Sequence, residues 1–148
     1  MENKRELFQL LTRRFGLLNK NCCAIGAVEI SAVQSHILYE IDKQPESSMQ
    51  QVAELLAMDI TTFSRQIQNL IKMELVTKTP SVQDRRVSLL GLTVQGKFVA
   101  TSIDESMNTY LEEVFSHMNE FERETVIRSL ELLNKAMSKS NVCCDTVC

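Results

Sequence analysis

The amino-acid sequence predicts a mainly α-helical protein that contains one small β-hairpin. Only four glycines and two prolines occur among the 148 residues, which leaves few points at which a helix must end. Apolar residues recur at helical spacing through two long stretches, 94–118 and 126–137. Between residues 75 and 92 the spacing changes to the alternation that is typical of β-strands. These observations favour long helices around a single pair of strands.

The first third of the chain predicts two helices joined by a connection. Residues 4–20 carry leucines and a phenylalanine at helical spacing, with arginines and a lysine on the other faces. Residues 21–27 are predicted to be a connection without regular structure. A second helix is predicted from Ser31 to Lys43, because the proline that follows it closely cannot continue a helix.

The next predicted element, a helix over residues 48–56, is short and amphipathic. Either Ser47 with Gln50, or the pair one residue later, supplies the Ser-x-x-Gln pattern that caps a helix start. Only Ala57-Met58-Asp59 separates this helix from the next, which is too short for anything but a tight turn.

A further helix is predicted over residues 60–71, with Asp59 placed to cap it. One stripe of this helix is apolar and consists of Ile60, Phe63, Ile67, Leu70 and Ile71. The other side carries hydroxyls, amides and an arginine but no carboxylate. Such side chains can read base edges in a DNA major groove.

Two predicted strands follow this helix. Residues 75–79 alternate, residues 80–84 break the pattern, and residues 87–92 resume it. The loop between the strands carries Arg85 and Arg86 near its tip. Two short helices joined by a tight turn, with a basic hairpin after them, predict a winged helix-turn-helix.

At these residues the chain resembles the MarR family of bacterial transcription regulators. The matching positions follow in order at the family's spacing: Ala53-x-x-Leu56-x-Met58, Thr62-Phe63-Ser64-Arg65-x-Ile67-x-x-Leu70, Glu74-Leu75-Val76, Asp84-Arg85-Arg86 and Leu92-Thr93-x-x-Gly96. Upstream, residues 30–41 look like the helix that precedes the reading helix in that family. The resemblance covers roughly residues 5–139. It implies a DNA-binding regulator, and repression is the family's commoner mode.

Two long helices are predicted beyond the hairpin, over residues 94–118 and from an Asn119-x-x-Glu122 cap to about Lys139. Together with the first helix they carry more apolar surface than one small domain needs. We therefore expect residues 1–30 and 93–148 to form a dimerisation region around a DNA-binding region over 31–92. The resemblance implies the same arrangement, with both chain ends joined across a twofold axis. The alternative is a monomeric helical bundle, in which the stripes are only core.

The net charge of −3 is unevenly distributed. Residues 48–92 hold five basic against four acidic residues, a balance of +1. Phosphate binding depends on local rather than total charge, so the sequence remains compatible with DNA binding. The small surplus predicts modest affinity per half-site and reliance on a homodimer.

Composition and motifs favour a single soluble, cytoplasmic protein that is not an enzyme. No apolar run approaches the roughly 18 residues that cross a membrane, and the first residues lack the apolar core of a signal peptide. There is no Gly-rich phosphate loop and no His-Glu-x-x-His, and the chain contains only two histidines. No cofactor is expected to be required.

The predicted mode of DNA binding places helix 60–71 in a major groove. The residues predicted to contact base edges are Thr61, Thr62, Arg65 and Gln66, and Arg65 is predicted to contact either a base edge or a phosphate. Gln68 and Asn69 are expected at the groove wall, and Ser64 is one further candidate of the motif. The family resemblance implies that Arg86 enters the minor groove, with Asp84 bracing the loop and Arg85 on the DNA backbone. Lys78 is expected to add a phosphate contact.

Five cysteines form two groups in connecting or terminal segments: Cys22 and Cys23, and Cys143, Cys144 and Cys148. Permanent disulfides are not expected in the cytoplasm. Neighbouring thiolates suit soft ions such as zinc, copper(I), mercury or trivalent arsenic, and also reversible oxidation. The sequence therefore leaves open whether these cysteines sense an effector or are inert.

Besides a thiol sensor, the sequence leaves other interpretations of what the protein binds. In the MarR family, zinc-sensing members place a histidine near His36, but they also use a His-x-x-x-His pair after the wing, which this sequence lacks. His36 is therefore expected to be a half-buried helix residue. Many family members instead bind a small aromatic or lipophilic ligand between dimerisation helices and reading domain. A further interpretation, from another functional class, is a winged-helix module that binds protein and not DNA.

Overall fold

The computed structural model of the chain describes residues 3–15, 23–25 and 27–140, with only the backbone described for residues 23–25. The elements in chain order are α1 (Lys4–Arg14), β1 (Cys23–Ile25), β2 (Val28–Ile30), α2 (Ala32–Lys43), α3 (Met49–Leu55), α4 (Ile60–Lys72), β3 (Val76–Pro80), β4 (Ser88–Leu92), α5 (Val94–Ser116) and α6 (Glu120–Ser138). The chain divides into two compact units, residues 1–105 and 106–148, with the boundary inside α5. Within the described ranges, no helix is long and apolar enough to cross a membrane.

The predicted mainly helical fold with one hairpin wing is confirmed, and two predictions near the amino end are wrong in detail. The first helix was expected over residues 4–20, but α1 ends at Arg14, with Phe15 as its C-cap. The predicted connection contains a short strand, β1, which pairs antiparallel with β2. These strands have only three residues each, too few for an alternating pattern to be visible in the sequence.

Three helices start at a reciprocal capping box. Ser31 with Gln34 at α2, Ser48 with Gln51 at α3, and Asn119 with Glu122 at α6 each form a reciprocal capping box. Of the two patterns proposed for α3, the second is therefore the one used. Ser47 is buried instead, and its hydroxyl donates to the Gln44 carbonyl oxygen at 2.8 Å.

The hydrophobic core of the first unit packs against one face of α4. Among the described residues, fifteen apolar side chains are buried, and all of them lie between residues 30 and 103. Phe63 is the largest and is fully buried, with Ile67 and Leu70 on the same side of α4. Ile60 and Ile71, which were expected in this stripe, are exposed. The buried face of α4 is thus narrower than predicted, because α4 is covered from one side only.

The second unit contains the end of α5 and the whole of α6. No residue of α6 is buried. Several of its large apolar side chains are open to solvent: Phe121, Ile127, Leu130, Leu132 and Met137. Burying such side chains contributes about 1.5–3 kcal/mol of stability each. The exposed apolar side chains of this unit do not make that contribution.

Candidate nucleic-acid interface

The start of α4 is fixed by Asp59. Its Oδ1 accepts hydrogen bonds from the backbone N–H groups of Thr61 and Thr62, each at 3.0 Å. A hydrogen bond from the Thr62 side chain, and then these backbone bonds, lower the pKa of Asp59 below its ordinary value of 3.8. The carboxylate is therefore ionised at neutral pH and is engaged with the helix end. The Thr62 hydroxyl, which was predicted to contact bases, takes part in this cap.

Both helices of the helix-turn-helix end in a left-handed residue that is not glycine. After α3, Ala57 has φ 51°, and Met58 N–H donates to the Ala53 oxygen at 2.9 Å. After α4, Glu74 has φ 60°, and Leu75 N–H donates to the Leu70 oxygen at 3.0 Å. These bonds satisfy carbonyl groups at the helix ends and reverse the chain sharply. The tight turn predicted for residues 57–59 owes its shape to Ala57.

The exposed face of α4 carries a straight row of polar residues. Thr61, Arg65, Gln68 and Lys72 are spaced by four, three and four residues, so they lie along one side of the helix, and all are exposed. Asn69 is exposed beside this row. No Asp or Glu occurs between Ile60 and Lys72, so no carboxylate on α4 itself would repel a phosphate backbone.

Two of the predicted contact residues lie at the edges of this face. Ser64 and Gln66 are half-buried, whereas Arg65 between them is exposed. Lys72 was missed by the sequence analysis, since the predicted helix ended one residue earlier. Its position seven residues after Arg65 is the signal that identifies it.

The wing is a regular antiparallel hairpin. β3 pairs with β4 from Val76 opposite Leu92 to Pro80 opposite Ser88. Backbone bonds close the loop at its base, where Ser81 N–H donates to the Val87 oxygen at 2.8 Å and Val87 N–H donates to the Asp84 oxygen at 2.9 Å. The loop that carries the arginines is therefore held in one conformation by its own backbone.

Asp84 braces the wing loop as the sequence predicted. Its Oδ1 accepts the backbone N–H of Arg86 at 3.0 Å and lies 3.7 Å from the Arg86 Nε. The Arg86 side chain is 95% exposed, so this ion pair is weak and leaves the guanidinium free to bind an anion. Arg85 and Lys78 are also exposed. The three cations of the wing are thus all accessible.

The predicted thiol sensor lies almost entirely outside the described residues. Cys22, Cys143, Cys144 and Cys148 are outside them, and Cys23 is described only as part of β1. Among the described side chains, no three His, Cys, Asp or Glu residues are grouped so that they could hold a metal ion. His36 is exposed and not half-buried, because α2 turns that side away from the core residues Ile37 and Ile41.

Comparison with known proteins places this geometry in a family. The MarR family model matches residues 30–88, which span α2, the two helices of the helix-turn-helix, β3 and the wing loop up to the first residue of β4. The chain is 28% identical over 100 residues to the uncharacterized HTH-type transcriptional regulator YxaD of Bacillus subtilis, an alignment that covers 68% of this chain and 70% of YxaD.

Two solved structures show the same fold. FabT of Streptococcus pneumoniae, in complex with DNA, superposes with a TM-score of 0.78 at 22% identity and covers 92% of this chain and 98% of FabT. BpsR of Bordetella bronchiseptica, whose DNA binding is regulated by 6-hydroxynicotinic acid, superposes with a TM-score of 0.69 at 21% identity. The match covers 88% of this chain and 96% of BpsR. The capped α4, the tight turn before it and the braced wing are thus those of a winged helix-turn-helix, and residues 30–88 of the chain match the MarR family.

Proposed function

We propose that this protein is a homodimeric transcriptional regulator that binds a pseudo-palindromic DNA operator and represses from it. The observation that carries the proposal is the row of polar and basic residues on α4, free of carboxylates and next to an accessible wing arginine. Hydroxyl, amide and guanidinium groups are the side chains that read bases in the major groove. Both YxaD and the DNA-bound FabT support the same function by similarity.

The residues of the interface divide by the kind of contact they make. Thr61 and Arg65, in the first two turns of α4, are assigned to base edges, with Thr62 and Gln66 beside them. Further contacts are assigned to the groove wall and the phosphates: Ser64, Gln68, Asn69, Lys72, Lys78 and Arg85. Arg86 is assigned to the minor groove, with Asp84 holding its backbone. Contacts to phosphates position the helix, while contacts to bases select the sequence.

Homodimerisation is supported by the apolar side chains that the chain leaves exposed at both ends. Leu7, Phe8 and Leu11 on α1 are each about half exposed, and no residue of α1 or α6 is buried. A twofold interface would cover equivalent faces of both copies at once. It would also place two α4 helices about one helical turn of DNA apart, which a palindromic operator requires.

We further propose that an effector releases the DNA by changing the spacing of the two reading helices. The cysteines Cys22, Cys23, Cys143, Cys144 and Cys148 are the first candidates, as ligands for a soft metal or metalloid such as arsenite, or as oxidisable thiols. The second candidate is a small aromatic ligand, a class supported by the regulation of BpsR by 6-hydroxynicotinic acid.

The experiment is a gel-shift with the protein's own upstream DNA and with a scrambled DNA of equal length, under reducing conditions. We expect a complex with the upstream DNA at lower protein concentration than with the scrambled DNA. Arg65→Ala should abolish this preference, whereas Arg128→Ala should keep it, because Arg128 is paired with Glu124 on α6. Equal binding to both DNAs by the wild type would contradict the proposal and favour the protein-binding module.

The same complex then tests the effector. Arsenite, zinc, copper(I) and peroxide are titrated separately against the wild type and against a Cys22→Ser, Cys23→Ser variant. Release of the wild type but not of the variant by one of these would identify the thiol sensor. Release of both would exclude that pair and move the test to Cys143, Cys144 and Cys148. A complex that ignores all four agents but yields to an aromatic acid would establish the second candidate.

A further inference from the structure

The start of α5 and the end of α4 are joined by a backbone junction at Thr93. The Thr93 N–H donates to the Leu75 oxygen at 3.1 Å. Its hydroxyl Oγ1 donates to the Glu74 oxygen at 2.6 Å and accepts the Gly96 N–H at 2.9 Å. One side chain therefore caps the first turn of α5 and holds the connection between α4 and β3.

The α4 side of this junction is a constrained turn. Glu74 has φ 60°, a left-handed conformation that is unfavourable for a residue other than glycine. Glu74 lies two residues after the end of α4, and its N–H donates to the Ile71 oxygen in the last turn of the helix at 2.9 Å. The carbonyl oxygen of the same residue receives the Thr93 hydroxyl. The turn that ends the reading helix is thus bonded directly to the residue that starts α5.

The α5 side of the junction approaches too closely for any side chain. A Cβ atom built on Gly96 would lie 1.9 Å from the Leu75 oxygen. The first turn of α5 therefore rests on the backbone that follows α4, without an intervening side chain. A contact between two backbones deforms less than a contact between flexible side chains. A displacement of α5 at this point therefore moves Leu75 and Glu74 with it.

The first turn of α5 makes a second contact, with the end of α2. Lys97 Nζ lies 2.5 Å from Asp42 Oδ1, so the same helical turn is also paired with the end of α2. Both attachments belong to the first turn of α5, but only the one at Thr93 reaches the reading helix. This pair provides a natural control, since it can be removed without touching Glu74 or Leu75.

We infer that Thr93 is a positioning residue for DNA recognition, because it sets α4 at a fixed position relative to α5. The inference rests on the proposed function, in which a dimer presents two α4 helices to two half-sites. α5 continues from this junction as one helix to Ser116. With the junction intact, the dimer accepts one half-site spacing; with it loosened, each α4 shifts relative to its α5, and the dimer tolerates neighbouring spacings.

The test compares operators whose half-sites are moved apart or together by one base pair. We expect the wild type to prefer the native spacing. Thr93→Val keeps the shape of the side chain but removes the hydroxyl, and should reduce this preference about three- to tenfold, the range expected for one hydrogen bond. Thr93→Ser keeps the hydroxyl and should restore the preference. The preference is a ratio of two affinities, so a loss of folded protein cancels from it.

The control variant Lys97→Met removes the attachment to α2 and should leave the spacing preference unchanged. Its altered charge weakens binding to both operators alike and also cancels from the ratio. An unchanged preference in Thr93→Val, or an equal loss in Lys97→Met, overturns the inference.

Amide hydrogen exchange tests the junction without DNA. In Thr93→Val the amides of Glu74, Leu75 and Gly96 should exchange about three- to tenfold faster, while the Leu90 amide, bonded to Ser47, should keep its rate. Unchanged exchange at Glu74 and Leu75 overturns the inference whatever the DNA result. If the wild type binds no operator, the proposed function fails on that result alone, and exchange still decides whether Thr93 holds the end of α4.

Discussion

The winged-helix region (residues 30–103) and the terminal helices (α1 and α6) treat their apolar residues in opposite ways. The fifteen buried apolar side chains among the described residues all belong to the winged-helix region. The terminal helices bury none, although they are amphipathic and carry large apolar side chains. One region completes its own core, while the other offers an apolar surface. The difference supports the proposed dimer, in which the terminal helices associate while the winged-helix region packs around its own core.

The polar groups of the two regions differ in a related way. In the winged-helix region, charged and polar side chains fix backbone: Asp59 caps α4, Asp84 braces the wing and Thr93 joins α4 to α5. In α6 the described ion pair joins two neighbouring turns of the same helix, Arg128 to Glu124. α6 has a side-chain bond to the backbone at its first turn, where Asn119 forms a capping box. The proposed contacts with bases need precise placement, which the bonds in the winged-helix region supply.

The largest effect is expected in the core of the winged-helix region. Phe63→Ala removes a fully buried ring and should lower the free energy of unfolding by about 3–5 kcal/mol. Phe98→Ala deletes the same atoms from a ring that is 59% exposed and should cost less than about 1 kcal/mol. Urea unfolding at one protein concentration measures both. Equal losses would mean that the two rings are equally buried in solution and would contradict the described core of the winged-helix region, to which Phe63 belongs and Phe98 does not.

The terminal helices should respond through association. Phe121 and Leu132 are 77% and 69% exposed, so replacing both by serine removes apolar surface that only a partner can cover. We expect the free energy of dimerisation to weaken by about 2–4 kcal/mol. Sedimentation over a dilution series measures this, with Glu131→Ser on the same helix as the control. A dimer of unchanged strength would place the interface elsewhere, and a monomeric wild type would favour the helical bundle.

Direct contacts with DNA should come from the winged-helix region. Arg86→Ala should lower operator affinity by about 1–3 kcal/mol with the dimer intact, because the braced guanidinium is lost from the wing. Arg128→Ala makes the same change in α6 and should alter affinity much less. The two variants are compared at matched salt, since phosphate contacts depend on it. Binding by Arg86→Ala that equals the wild type would remove Arg86 from the interface.

A smaller and opposite effect is expected at the end of α4. Glu74→Gly relieves the left-handed φ of 60° and should raise the free energy of unfolding by about 0.5–1 kcal/mol. Ala57→Gly makes the equivalent change after α3 and should act in the same direction. Thermal unfolding of the three proteins measures this. A destabilised Glu74→Gly would show that the glutamate side chain contributes more than its backbone costs.

The smallest expected effect is on the stability of the protein at acidic pH. Hydrogen bonds to Thr62 and Thr61 lower the pKa of Asp59 in the folded protein below 3.8. Its contribution to stability is therefore present above that ordinary value and is lost as the pH falls through the lowered one. Asp59→Asn can still cap α4 but does not titrate, so the wild-type advantage should shrink between about pH 6 and about pH 2.5. An advantage that is constant over this range would contradict the role of the charge.

Much of the interface follows from local sequence. The cap at Asp59, the boxes at Ser48 and Asn119, and the alternation of the wing are short-range patterns, so they were predicted to within about one residue. The exposure of Ile60 and the half-burial of Gln66 were not, because burial on α4 depends on which neighbours cover it. The pairing of β1 with β2 was also missed, since three residues show no period.

The sequence by itself determined the order of the elements, the caps, the polar inventory of α4 and the family resemblance. These features depend on residues that are neighbours along the chain. Only the tertiary structure showed that Thr93 reaches the carbonyl group of Glu74, 19 residues earlier, and that Gly96 lies against the backbone of Leu75. Contacts between distant residues depend on how helices and strands pack, and no local pattern encodes that distance. The reading surface is thus visible in the sequence, while the junction that positions it is visible only in the fold.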